Sequence, residues 1–489
     1  MLLNLRRLTN QLTEYWYDEL PNKIHGIEFV VATNDILSEC SVPSDPYFGV
    51  AKYSEYYKLI QAYDAWNITK GSKDVKVAIV DSYFDLTNPE IGERVVSPIS
   101  IPTGTRDVLP PAKSPTAEDV TSYCHGSHVA GLAIGAQNNK LGCSGIAPKC
   151  SWIPVALSDQ LTNYNILLGI LYGVYQGADV VSFSLGHVYP ESYAALPLSV
   201  QLRIAMESNK RGEALWNYVA KIANDHNCVL VTSAGNDDLL MGLDPKNRCD
   251  AMIKVEAVDN KGQATSFTNF GRVPEADINY STVSAPGMQL WSASEKRCLP
   301  LWKQLGCKVS EKDGFQEMDG TSMSAPIVAG AVALLKSKDK SLTPQQIISI
   351  LKATARQFDK KNRIGPTIQI KDALQEVGGE ALNFDELMKN HELLIGKWKS
   401  THMLFISKDD VKTDDIWTYF TFTSTTSGYV EMHGVNTKRV YKAPLHVEWG
   451  TKSIKISQMS QPVTADGRDF VVEDAYVCKP NKDRLLEPS

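Results

Sequence analysis

Val77-Ala78-Ile79-Val80-Asp81-Ser82 is an aliphatic run that ends on a carboxylate. Four apolar residues without alternation describe a strand buried on both faces, and such strands belong to a parallel sheet covered by helices. Similar runs recur at residues 152–157, 179–184, 229–233 and 253–258. Between them lie helical patterns such as residues 164–175, whose apolar positions Ile166, Leu167, Ile170, Leu171 and Val174 fall on one face. Thr343-Pro344, followed by Ile347, Ile348 and Leu351, reads as an N-cap, a proline in the first turn and an amphipathic helix. The fold class is α/β, with a mostly parallel sheet flanked by helices.

The chain has 489 residues, 43% hydrophobic and 22% charged, the composition of a folded globular protein. A net charge of -6 without a basic block argues against nucleic acid or an anionic membrane as the main partner. The longest apolar stretches, 166–175 and 326–335, fall far short of a bilayer span, so no integral membrane segment is expected. The opening Met1-Leu2-Leu3-Asn4-Leu5-Arg6-Arg7 is too short for a secretory apolar region, and no signal peptide is visible. Nine cysteines lack metal-type spacing, which makes zinc a poor reading. Cys298 and Cys307 would close a small loop only in an oxidising compartment, and isolated buried thiols are the more common reading.

Four parts are expected. Residues 1–45 form an N-terminal segment, helix-like at 12–20 and strand-like at 27–31, and residues 46–377 form the α/β domain. A linker covers 378–390. Residues 391–480 change character, with aromatic-rich runs such as Trp417-Thr418-Tyr419-Phe420-Thr421-Phe422, Gly428-Tyr429-Val430 and His446-Val447-Glu448-Trp449. They read as a small antiparallel β barrel or sandwich.

Three islands sit at the ends of predicted strands or the starts of predicted helices. They are Asp81 after its strand, His125-Gly126-Ser127-His128-Val129-Ala130-Gly131, and Gly320-Thr321-Ser322-Met323-Ser324-Ala325-Pro326 opening an apolar helix. An alcohol is inert at neutral pH unless an imidazole takes its proton, and that imidazole needs a carboxylate to fix its tautomer and offset its charge. A helix N-terminus at Ser322 adds N–H groups and a positive dipole end. Each piece alone has a plainer reading: Asp81 as a turn residue, Gly-Thr-Ser as a cap, and His128 as a structural histidine within the same motif.

Together, and in this order, the islands resemble the subtilisin family over roughly residues 45–375. The resemblance implies a serine endopeptidase acting on peptides or proteins, with Asp81, His125 and Ser322 as its triad and no organic cofactor. Ser233-Ala234-Gly235-Asn236-Asp237 matches the family's oxyanion segment and makes Asn236 the side-chain donor. Ser184-Leu185-Gly186 matches the segment that binds an extended peptide by strand addition. With Ser233, Ala234 and Gly235 it would wall the pocket for the residue preceding the cleaved bond. The resemblance also implies structural calcium, held by Glu90, the Asn139 side chain and the carbonyls of Gln137, Leu141 and Cys143. Val42-Pro43-Ser44-Asp45-Pro46-Tyr47-Phe48 is similar to the start of a mature catalytic domain, so the preceding residues would be a propeptide or its remnant, the alternative being a structural N-terminal arm. It further favours a secreted or periplasmic location. Gly396-Lys397-Trp398 resembles the Gly-x-Trp start of lipocalin-like barrels.

Three places depart from the pattern. The second edge of the peptide cleft reads Asp159-Gln160-Leu161-Thr162-Asn163-Tyr164 instead of a small, glycine-rich segment. His187 stands where a small residue is usual. Tyr83 replaces glycine after Asp-Ser and is expected to shift the Asp81 backbone. The departures at Tyr83 and residues 160–162 support a second reading, a catalytically inactive subtilisin-like scaffold acting as a binding protein.

Overall fold

The computed structural model describes residues 43–377, apart from 188 and 194, and the backbone of strands between 396 and 478. Seven strands form the central sheet: β1 (Lys76–Asp81), β2 (Ile99–Ser100), β3 (Ser151–Ala156), β4 (Val180–Phe183), β5 (Val229–Ser233), β6 (Ile253–Val258) and β7 (Val283–Pro286). Their order is β2-β3-β1-β4-β5-β6-β7 and every pairing is parallel. The aliphatic runs lack alternation because both faces are covered. Val77 and Ile79 enter one core, while Ala78 and Val80 enter the other.

Five helices matter for the site: α1 (Asp119–Ile134), α2 (Asn163–Tyr175), α3 (Lys210–Asp225), α4 (Thr321–Lys338) and α5 (Pro344–Thr354). The first core takes Val129, Ala130 and Ala133 from α1 and Ile327, Val328 and Ala331 from α4. The second takes Ile166, Ile170 and Val174 from α2 and Trp216, Val219 and Ala220 from α3. Burying each larger aliphatic chain is worth about 1.5–3 kcal/mol, so the two cores dominate stability. Close approach of α1 and α4 needs Gly330, where a Cβ would stand 2.6 Å from Ile146 Cβ and 3.0 Å from Ala133 O. Thr343 and Gln346 form a reciprocal capping box at the start of α5.

His125 lies well inside α1, not at its start. Asp119 explains the extra turn and a half. Its carboxylate accepts the N–H and hydroxyl of Thr116, both at 2.8 Å, and fixes the chain's entry before Val120 and Tyr123 bury themselves. Beyond β7 a small antiparallel sheet forms from β8 (Leu290–Ala293), β9 (Val309–Ser310) and β10 (Phe315–Met318). The seven described cysteines, Cys298 and Cys307 among them, are free thiols. Cys298 packs with Cys124, Tyr83 and Tyr123 instead of closing a loop with Cys307.

The C-terminal strands form a separate antiparallel sheet. Asp415–Phe422, Ser427–Gly434 and Val440–Trp449 pair in sequence order, and Gly396–Lys399 pairs with Asp415–Phe422. Residues 1–42 and the expected linker at 378–390 lie outside the described residues. Among the described residues no helix is long and apolar enough to cross a membrane.

Candidate active site

Parallel strands bring their C-terminal ends to one edge of a sheet, where α/β proteins place their ligands. The register pairs Val80 with Phe183 and Phe183 with Thr232. The next residues, Asp81, Ser184 and Ser233, therefore emerge side by side. Asp81 is 1% exposed, and its Oδ1 accepts the Ser82 N–H at 2.7 Å. Both carboxylate oxygens face His125 Nδ1, at 2.8 and 3.0 Å. That contact places the ring proton on Nδ1 and leaves Nε2 as a base. Burial works against the charged imidazole, but the charge and hydrogen bond of Asp81 outweigh it and hold the His125 pKa above its ordinary value.

Ser322 is the second residue of α4. Pro326, four residues on, has no N–H, so the Ser322 carbonyl loses its helical partner. The Ser184 hydroxyl supplies the missing bond at 3.0 Å, and the Ser322 hydroxyl donates to Ser184 O at 3.3 Å. This exchange ties the nucleophile candidate to the end of β4. Asn236 is oriented through Oδ1, which accepts the Thr321 N–H at 2.9 Å and the Thr321 hydroxyl at 2.8 Å. Its amide nitrogen is thereby aimed elsewhere. A Cβ on Gly320 would stand 3.5 Å from Asn236 Nδ2 and 3.6 Å from Ser322 N, so both donors border one small space.

Asn269 fixes this segment, and sequence reading missed it. Its Oδ1 accepts the N–H groups of Asp237 and Leu239, while its Nδ2 donates to Ala234 O. A Cβ on Gly235, whose φ is +110°, would stand 2.2 Å from Asn269 Nδ2. A lone Asn in Thr268-Asn269-Phe270 carries no sequence signal for such a role.

Tyr83 fits without displacing Asp81. It is not among the residues with positive φ, its ring packs edge-on to Tyr123, and its hydroxyl donates to Asp159 Oδ2 at 3.0 Å. Glycine's freedom is not needed there. The segment carrying Gln160 and Leu161 is exposed, with Leu161 and Tyr164 facing solvent, and Thr162 caps α2. Exposed Gly186 and His187 follow Ser184 and Leu185 across the cleft.

The loop at 136–143 lies apart from these residues in the sequence and gathers oxygen. Glu90, 2% exposed, accepts Asn139 Nδ2 at 2.8 Å, and Asn139 Oδ1 accepts the Leu141 N–H at 2.9 Å. Burial, with the charge of nearby Asp45 added, pushes the Glu90 carboxyl well above the usual range. Both polar atoms of the Gln137 side chain are buried without a partner. The carbonyls of Gln137, Leu141 and Cys143 accept no backbone N–H among the described residues. Asp45, unremarked in the sequence, shapes the loop by accepting the N–H groups of Asn138 at 2.7 Å and Lys140 at 3.0 Å. Among the described residues no three His, Cys, Asp or Glu side chains cluster as a metal site, so any ion here would be held mainly by carbonyl and amide oxygens.

The Subtilase family profile matches residues 72–380. The chain belongs to that family, and so to the subtilisin-like serine endopeptidases. Thermitase of Thermoactinomyces vulgaris is 29% identical over 302 residues, covering 61% of this chain and 87% of that protein. Subtilisin E of Bacillus subtilis is 29% identical over 290 residues, covering 58% and 60%. A calcium-dependent protease of Nostoc is 24% identical over 371 residues, covering 72% of this chain but only 51% of its own length. Two solved structures share the fold. A Pseudoalteromonas arctica protease has a TM-score of 0.52 at 21% identity, covering 69% of this chain and all of that one. A lanthipeptide protease has the same score, identity and share of this chain, with 99% of its own covered.

Proposed function

We propose that the chain cleaves peptide bonds through an acyl-enzyme. Ser322 Oγ attacks the carbonyl carbon while His125 Nε2 takes its proton, and Asp81 holds the imidazole at Nδ1 and offsets its charge. Asn236 Nδ2 and the Ser322 N–H receive the oxygen as it becomes an oxyanion; in this family, losing the side-chain donor costs about 10²–10³ in turnover. His125 returns the proton to the leaving amine, then deprotonates the water that hydrolyses the ester. The peptide lies along Ser184-Leu185-Gly186, with Ser233-Ala234-Gly235 as the facing wall.

The single observation carrying this reading is the 2.8 Å contact of His125 with buried Asp81, at the end of the strand beside β4, whose following residue Ser184 exchanges hydrogen bonds with Ser322. Labelling with a fluorophosphonate, followed by peptide mapping, should find the adduct on Ser322. Ser322→Ala should keep its cooperative melt and lose casein cleavage. An unlabelled Ser322 in folded protein, with equal casein cleavage by the alanine variant, would reject the assignment and leave an inactive binding scaffold.

Calcium belongs to the same proposal. Glu90, Asn139 and the carbonyls of Gln137, Leu141 and Cys143 supply the hard oxygens that suit it, and the orphaned Gln137 side chain and the buried Glu90 carboxyl fit a cation. A bound ion supplies charge to this buried oxygen cluster. Two relatives are named calcium-dependent proteases. Calcium at 100 times its dissociation constant should add about 2.7 kcal/mol to stability, and chelation should remove it. Melting indifferent to both would leave a plain loop.

A further inference from the structure

We infer that Lys246 and Asp244 close the floor of the pocket between Ser184-Leu185-Gly186 and Ser233-Ala234-Gly235, restricting the residue before the cleaved bond to a small side chain. The inference rests on the peptidase reading above. Lys246 reaches one wall directly, its Nζ donating to Ser233 O at 2.9 Å. At the other wall Gly186 is exposed and has no side chain. A Cβ there would stand 3.2 Å from Asp244 Oδ2, 3.3 Å from Lys246 Cε and 3.4 Å from Lys246 Nζ. The lysine side chain therefore lies across the gap between the walls.

The floor is fixed in place. Asp244 Oδ1 accepts the Lys246 N–H at 3.1 Å, and Oδ2 accepts the His187 N–H at 3.2 Å. Asn247 Nδ2 donates to Ala234 O at 3.2 Å and to Met241 O at 3.1 Å, binding the floor to the Ser233 wall. Asp244 and Lys246 are 6% and 2% exposed. The ammonium donates to Ser233 O and to Asn247 Oδ1 at 3.1 Å, and it faces the Asp244 carboxylate across a 3.5 Å ion pair. The Asp244 carboxylate already offsets the ammonium charge and repels an acidic substrate side chain. Both carboxylate oxygens are engaged, which disfavours a basic one. A long apolar side chain would have to dislodge a buried, hydrogen-bonded ion pair. Glycine, alanine and serine do not reach it.

A peptide series differing only at the residue before the scissile bond tests this, with Ala, Ser, Leu, Phe, Lys and Glu compared by kcat/KM. Wild type should favour Ala and Ser over Leu and Phe by tenfold or more. The double change Asp244→Asn with Lys246→Ala shortens the floor without orphaning a charge, and should raise the Phe-to-Ala ratio at least tenfold. Lys246→Met keeps the length without the charge and should leave that ratio low. Wild type that cleaves after Phe or Leu as well as after Ala overturns the inference, as does an unchanged ratio in the double variant. Should that variant fail to fold, the wild-type profile decides alone. Fluorophosphonate labelling of Ser322 separates the two readings. A labelled enzyme with the wrong profile sinks only the floor, whereas an unlabelled one that hydrolyses no peptide sinks both.

Discussion

Helix α1 carries two histidines less than one turn apart on the same side, each against a different neighbour, and their chemistry diverges. His125 faces the strand ends, 19% exposed at its side chain, against the Asp81 carboxylate. His128 is fully buried against the β8–β10 sheet, with Nε2 placed to donate to Leu290 O at 3.2 Å and Gln316 O at 3.1 Å. Burial without a compensating charge pushes its pKa down to about 3, while that of His125 is held up. A ring becomes a usable base through its charged partner and its access. Membership of the His-Gly-Ser-His motif does not decide it.

Breaking the His125–Asp81 pair should have the largest effect. His125→Ala is expected to lower kcat by about 10⁶, the scale seen when this family loses its base. Asp81→Asn leaves the ring but offers it the wrong hydrogen-bonding partner, for a loss of about 10⁴. Steady-state kinetics checks both, and a loss under tenfold in either would remove that residue from the catalytic unit.

The two histidines should also answer pH with opposite signs. His125 binds its proton more tightly folded than unfolded. Its contribution to stability is present below the unfolded value near 6.5 and lost as pH rises through the folded value. The same deprotonation frees the base, so kcat/KM should climb about tenfold per pH unit below that value. A rate flat between about pH 5 and 9 contradicts the role. His128 behaves in reverse, since unfolding lets it take a proton. Stability should drain as pH falls from about 6.5 toward about 3.

The smallest effect sharpens the contrast. His128→Gln should cost about 1–3 kcal/mol through altered buried hydrogen bonds, with kcat little changed. Urea unfolding at stepwise pH should also show a shallower acid loss in this variant. Parallel curves for variant and wild type would assign that loss to another group.

Much of this was legible in the sequence, for physical reasons that differ by element. The strands announced themselves because two cores share each one, as Val77 with Ile79 and Ala78 with Val80 show. Helix α5 was legible in its cap. The depth of His125 within α1 was not, because Asp119 fixes the entry through a three-residue contact that resembles any surface turn. Tyr83 was expected to disturb Asp81, yet its backbone is ordinary and its hydroxyl has a partner in Asp159. Asn269 and Lys246 were illegible for a common reason. A polar residue between Thr and Phe, or between Pro and Asn, reads as surface until the fold supplies distant acceptors. The Pro326 vacancy at Ser322 O lies within one helical turn, but its partner Ser184 is 138 residues away.

That separation has a consequence in time. The segments bearing Asp81 and His125 lie 44 residues apart, whereas Ser322 trails Ser184 by 138. At about 5–20 residues per second of synthesis, the serine emerges about 7–28 s after the strand end that anchors it. Helix α4 then packs against α1, β4, β5, β6 and β7, contacts that span long loops and form slowly. If His125 and Ser322 act as proposed, a growing chain would hold its base early and its nucleophile late, and would gain the power to cut only once the scaffold around that cut is nearly complete.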